Sequence, residues 1–172
     1  MIKKALEVAL NDQINAEFHS AYLYLSMSSY YNSIGLAGFA NWMRIQYQEE
    51  LAHATRFFDY VNERGGRVRL SPIKEVMVEF SGPVNVFEET LAHEQLVTSL
   101  INKLMDISIQ ESDHATKSFL QWFIDEQVEE EANVEQILNN LKLIKGEGQG
   151  LLMMDREMKT RVFVDPFAAI KP

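Results

Sequence analysis

The chain has 172 residues, 47% of them hydrophobic and 24% charged, which suits one domain with a sizeable core and argues against disorder or a membrane-embedded protein. Acidic residues outnumber basic ones 25 to 16, a formal charge of −9 that argues against nucleic acid or an anionic membrane as partner. It is compatible with attracting cations, although surplus acid is also common on cytoplasmic proteins. The absence of cysteine excludes disulfides, zinc ribbons, thiolate catalysis and cysteine-ligated iron-sulfur clusters.

The first residues, Met1-Ile2-Lys3-Lys4-Ala5-Leu6-Glu7, are already helical in pattern and hold no apolar run of the signal-peptide kind, so a cytoplasmic location is expected. A first helix is expected over about 3–32, with Leu10, Ile14, Glu17, Ala21, Tyr24 and Ser28 on one stripe of alternating four-residue and three-residue steps. Gly35 supplies a break, and a second helix is expected over about 37–64, with the stripe Phe39, Met43, Gln46, Glu50, His53, Phe57 and Tyr60. Residues 65–83, with Gly65, Gly66, Pro72, Gly82 and Pro83, are too long for a tight turn and suit a crossover along a bundle, leaving the second and third helices parallel. The third helix, about 84–111, turns Phe87, Glu94, Val97, Ile101 and Leu104 inward. Ser112-Asp113 offers a turn and cap for a fourth, about 114–145, with the stripe Leu120, Phe123, Gln127, Glu130, Val134, Ile137, Leu141 and Ile144. A short fifth helix is expected over about 148–160, and a loose tail over 161–172. The fold expected is all-α: one antiparallel four-helix bundle with a long crossover and a short fifth helix.

Each stripe carries acid or imidazole in its middle, where an unpaired carboxylate costs several kcal/mol. Glu17 stands 18 residues before Gly35 and His53 stands 18 after it, while Glu94 and Glu130 stand 18 before and after Ser112. In antiparallel hairpins each pair shares a level, about 27 Å from its turn at about 1.5 Å per residue. Any one of these residues alone reads as a tolerated core polar group. Four helices supplying them at matched depth, with no lysine or arginine on the same stripes, point to bound cations. Oxygen ligands with one imidazole suit iron, manganese or zinc better than copper, and several carboxylates at one level can bridge two metals. Known carboxylate bundles take a glutamate from each of two helices and Glu-x-x-His from the other two. Glu17, Glu94 and the Glu50/His53 motif follow that template, but Gln127 and Glu130 stand where the second motif would be, so one metal has a more labile ligand set.

At these residues the sequence resembles the bacterial and archaeal non-haem ferritins along essentially its whole length. The matching pieces are Asn15-Ala16-Glu17 with Ser20-Ala21-Tyr22-Leu23-Tyr24, Gln48-Glu49-Glu50-Leu51-Ala52-His53, Glu63-Arg64-Gly65-Gly66-Arg67-Val68, and Phe119-Leu120-Gln121-Trp122-Phe123 leading to Glu126-Gln127-Val128-Glu129-Glu130-Glu131. The resemblance implies a first iron held by Glu17, Glu50 and His53, a second held by Glu50, Glu94 and Glu130, and Gln127 close by. It further implies a third iron position at Glu49, Glu126, Glu129 and Glu130, with Tyr24 as an electron donor. Tyr24 reads equally as a hydrogen-bond donor to Glu50 or Glu94, and Glu126 with Glu129 reads equally as a solvated face. The activity implied is oxidation of Fe(II) by dioxygen or peroxide, with storage of Fe(III) mineral inside a hollow homo-oligomeric shell of 24 subunits.

Haem is not expected. Relatives that bind it between subunits carry a methionine where Ala52 stands here and complete the second Glu-x-x-His. His19, His93 and His114 fall off the inward stripes and are expected on the surface, and Trp122 reads as packing. Two rival readings remain: a diiron oxidase or oxygenase acting on an organic substrate, and a shell subunit without ferroxidase chemistry.

Overall fold

The computed structural model describes residues 2–168; Met1 and residues 169–172 lie outside it, including the last part of the expected tail. Among the described residues there are five helices and no strand: α1 Lys4–Ser33, α2 Ala37–Glu63, α3 Pro83–Gln110, α4 His114–Leu143 and α5 Gly148–Met158. The boundaries follow local chemistry. Gly35 takes φ 81° at the α1–α2 turn, a left-handed conformation that costs a glycine little. Pro83 begins α3, where its missing N–H would have no partner in any case. The Asp113 side chain accepts from the Thr116 amide at 2.9 Å and caps α4. Residues 64–82 cross over without regular structure.

Two apolar clusters fix the helix directions. One gathers Tyr24, Met27 and Tyr31 of α1, Phe39 and Met43 of α2, Val86 and Phe87 of α3, and Val134, Leu138 and Leu141 of α4. The other gathers Leu10 and Ile14, Phe57 and Tyr60, Ile101 and Leu104, and Leu120 and Phe123. Chain number rises from the first cluster to the second in α2 and α3 and falls in α1 and α4. Hence α2 and α3 are parallel to each other and antiparallel to α1 and α4, as the crossover requires. The expected stripes are buried throughout α1, α2 and α3. Toward the end of α4, Leu138 replaces Ile137 as the fully buried residue and Ile144 is half-buried. A strict four-three stripe drifts by about 20° per heptad on a straight helix, and after two heptads the neighbour faces inward.

The loose tail expected from residue 161 onward is corrected for residues 161–168. Phe167 is buried in the second cluster, Arg161 pairs with Glu49 at 2.6 Å, and the Asn41 amide donates to the Arg161 carbonyl at 2.9 Å. The segment therefore runs along α2 and is held at both ends.

Helix α5 is anchored through the start of α2, which has no side-chain cap of its own. Asp155 Oδ1 accepts from the Gly38 and Phe39 amides at 2.8 and 3.1 Å, capping α2 from a distant part of the chain. The approach needs glycine, since a Cβ on Gly38 would stand 1.6 Å from the Asp155 carbonyl oxygen. Asp155→Ala is expected to remove about 1 kcal/mol, the worth of a helix cap, and Gly38→Ala to cost more by expelling α5. Thermal unfolding of the two variants beside the parent checks both, with the order Gly38→Ala below Asp155→Ala below parent.

Candidate metal centre

Between the two apolar clusters lies a polar layer in which Gln13, Glu17, Gln46, Glu50, His53, Glu94, Gln127 and Glu130 are all buried. Each stripe residue points inward because the same helical repeat that buries Leu10, Phe57, Ile101 and Leu120 on one side buries Tyr24, Met43, Phe87 and Val134 on the other.

Among the described residues, one trio of His, Asp or Glu side chains brings a ligand atom of each within 4.8 Å of the others, and it is Glu17, Glu50 and His53. The matched offsets in the first hairpin are thus realised in space. Gln13 donates to Glu17 Oε1 at 2.8 Å and orients that carboxyl. The His53 Nδ1 to Glu50 Oε2 separation is 3.6 Å, too long for a hydrogen bond. Trp122, Phe123 and Phe167 meet the imidazole at ring-centroid distances of 5.5, 5.7 and 6.0 Å, all edge-on, and fix its plane.

The other half of the layer is a hydrogen-bonded set. The Tyr24 hydroxyl donates to Glu94 Oε1, and the Gln127 amide donates to Glu94 Oε2 at 3.1 Å. Gln46 donates to Glu130 Oε2 at 2.9 Å. Of the two readings of Tyr24, the hydrogen bond is present and its partner is Glu94. Gln13, Gln46 and Thr98 were not singled out from the sequence as site residues, yet each stands four residues from a stripe glutamate and helps hold the layer: Thr98 accepts from Gln127 at 3.3 Å. The i, i+4 spacing was the available signal.

Glu49, Glu126 and Glu129 are not assembled in the same way. Glu49 is half-buried and paired with Arg161, Glu126 is half-buried, and Glu129 is exposed. Arg161, a cation close to the layer, comes from the tail and was invisible to stripe analysis. His93 is also corrected. It is half-buried, bonded to Ser20 Oγ at 2.8 Å and set edge-on to the Tyr24 ring, and burial, with His19 nearby, lowers its pKa to about 4. His19 is half-buried against it, and His114 is exposed as expected.

Electrostatics make the layer a proton-holding site when no cation is bound. Burial raises the carboxyls of Glu17 and Glu50 well above the usual range, with the charge of Glu50 adding to the first and that of Glu94 to the second. Burial also raises Glu94, opposed by the bonds from Tyr24 and Gln127. Burial and the charges of Glu94 and Glu49 push Glu130 up to about 8. Among the described residues, Glu17 Oε2, Glu50 Oε2, Gln46 Oε1 and His53 Nε2 are buried without hydrogen-bond partners, at about 1–3 kcal/mol each. Oxygen donors crowded together, one imidazole nearby and unsatisfied atoms among them fit a divalent cation better than any apolar ligand.

A four-helix bundle that buries four glutamates and a histidine between two apolar clusters is a carboxylate bundle of the ferritin-like class. A family model described as a ferritin-like domain matches residues 7–144. The bacterial non-heme ferritin of Bacteroides fragilis is 41% identical over 161 residues, covering 94% of this chain and all of that one. That of Staphylococcus aureus strain MRSA252 is 38% identical over 163 residues, covering 95% and 98%. Among solved structures, an engineered closed form of the Archaeoglobus fulgidus ferritin matches with a TM-score of 0.94 at 51% identity, covering 95% of this chain and all of that one. The open-pore ferritin of that archaeon matches at 0.92 and 51%, covering 94% and all. The chain belongs to the ferritin family.

The raised carboxyls carry a pH dependence of definite sign. A carboxyl titrating near 8 when folded, against an ordinary value of 4.5, holds a proton that the unfolded chain has released anywhere between. The stability it contributes is full below 4.5 and is lost as pH rises through about 8. The metal-free protein should therefore unfold at lower temperature at pH 8 than at pH 5. Zn(II) should raise the melting temperature more at pH 8, where fewer protons have to be displaced. Thermal melts with and without Zn(II) across that range check both; equal Zn(II) stabilisation at the two ends contradicts the assignment.

Proposed function

We propose that this chain is an iron-storage subunit with ferroxidase activity, and that Fe(II) is the substrate of its buried carboxylate layer. Glu17, Glu50 and His53 would hold one ferrous ion and Glu50, Glu94 and Glu130 a second, with Gln127 beside them. The observation that carries this reading is the convergence of Glu17, Glu50 and His53 within 4.8 Å in a buried layer whose ligand atoms lack hydrogen-bond partners among the described residues. Each ferrous ion gives up one electron, and dioxygen or peroxide takes two. The protons that buried carboxyls lose on binding cations are available to the reduced oxygen. The Tyr24 hydroxyl, donating to Glu94, would orient that carboxyl toward the second ferrous ion.

The layer suits small reactants. Tyr24, Phe39, Met43 and Phe87 close it on one side and Phe57 and Phe123 on the other, all at 3% exposure or less, which leaves an organic substrate no room and speaks against an oxygenase. The complete ligand set speaks against a shell subunit without ferroxidase chemistry. Ferric product would pass to Glu49, Glu126 and Glu129 on the way to a mineral core.

We further propose a hollow shell of 24 subunits in the cytoplasm. Leu70 and Val78 of the crossover and Met153 of α5 stay 67, 63 and 70% exposed in the single chain, apolar area suited to subunit contacts. The open-pore and closed forms of the archaeal relatives support the same reading. Among the described residues no helix is long and apolar enough to cross a membrane. Truncation before Leu151 should weaken the assembly, and sedimentation as a lone chain would reject the shell.

Glu50→Ala should slow ferrous oxidation by at least about tenfold, because losing a shared ligand disturbs both metal positions. Stopped-flow oxidation at two Fe(II) per subunit is the check, and a parental rate would reject the site. The double variant Glu126→Ala, Glu129→Ala should keep the fast first turnover and alter later ones in repeated small additions of iron.

A further inference from the structure

The charged partner of Glu49 comes from outside the bundle. Arg161 Nη2 lies 2.6 Å from Glu49 Oε2, and the guanidinium sits 4.8 Å above the Trp42 ring, where the π face holds a cation without neutralising it. Its other terminal nitrogen, Nη1, is buried without a hydrogen-bond partner among the described residues. The backbone is clamped independently of the side chain, because Asn41 donates to the carbonyls of Met158 and Arg161 at 3.2 and 2.9 Å. Downstream, Phe167 packs 4.5 Å from Trp122 and 6.0 Å from His53, so the strap is pinned on both sides of the arginine. The guanidinium can therefore move while the strap stays.

Beside Arg161 lies a pocket of about 290 Å³, lined also by Trp42, Asn140, Glu157 and Thr160. It offers space for the side chain to rotate away from Glu49 and a carboxylate to receive it. The electrostatic reach of Arg161 extends to Glu130 as well, where it opposes the raising effect of burial. One arginine thus faces two of the four carboxylates to which the third iron position is ascribed.

We propose that Arg161 is a built-in competitor for that third position: it neutralises Glu49 while the position is empty and must swing toward Glu157 before a cation binds there. This rests on the ferroxidase reading above. The competitor bears mainly on the third step, because its bond is to Glu49, which is not among the ligands of the first two steps, while Glu130, shared with the second position, feels its charge without bonding to it. A cation that does bind at Glu49 is held against a waiting guanidinium, which favours its onward release.

The test is anaerobic calorimetric titration of the full-length assembled protein with Fe(II), repeated with redox-inert Zn(II). Arg161→Gln should tighten the third step about two- to fivefold, the scale of losing a partly exposed ion pair, and change the first two less. Arg161→Lys, which keeps the charge, should stay near the parent. In a Glu49→Gln background, the third step should weaken and the gain from Arg161→Gln should shrink to the smaller part carried by its charge at Glu130. A third step unchanged or weakened by Arg161→Gln, or a gain undiminished in the Glu49→Gln background, overturns the proposal. Absence of the first two steps in the parent would instead overturn the ferroxidase reading.

Discussion

The structure turns on one constraint: four buried glutamates share one polar layer between two apolar clusters. Such a layer destabilises a bundle unless protons or cations occupy it. The protein does not dilute the charge with basic residues on the inward stripes of these helices. It surrounds the carboxyls with amide donors, Gln13, Gln46 and Gln127, and with the hydroxyl of Tyr24. These donors orient oxygen atoms without carrying positive charge, and several ligand atoms are left unsatisfied. A layer so built gains most by accepting cations, and stability is given up locally to make binding favourable.

The two apolar clusters make that affordable. Each is closed by aromatic rings in contact, Tyr31 stacked on Phe39 at 5.1 Å in one and Phe57 on Phe123 at 4.2 Å in the other. They fix helix direction and depth on either side, so the layer inherits its geometry from packing rather than from its own strained contacts. The same clusters keep water away and leave room only for small reactants.

Much of this was legible in the sequence because helical periodicity couples position to direction. The stripe that holds Leu10 and Ile14 must also turn Glu17 inward, and the 18-residue offsets about Gly35 must bring His53 to it. What escaped lay off the stripes or beyond the bundle. His93 looked like a surface residue because its own helix turns it away from the core, yet α1 packs over it and supplies Ser20. Arg161 and Phe167 follow the last helix in a segment with no repeat, and their places depend on α5, which in turn depends on Asp155 finding the bare amides of Gly38 and Phe39. No local pattern announces a contact between residues more than a hundred positions apart. Gln13 and Gln46 were missed for another reason: chemistry was sought in groups that carry charge, and these neutral donors that aim them were passed over.

The central claim is that the layer is a paired metal site whose substrate is ferrous iron. It is tested most directly by anomalous diffraction at the iron edge from crystals soaked anaerobically with Fe(II). The account predicts two peaks about 3.5–4 Å apart, one bounded by Glu17, Glu50 and His53 and the other by Glu50, Glu94 and Glu130. Iron bound only at the surface, with no peak inside the layer, would contradict it.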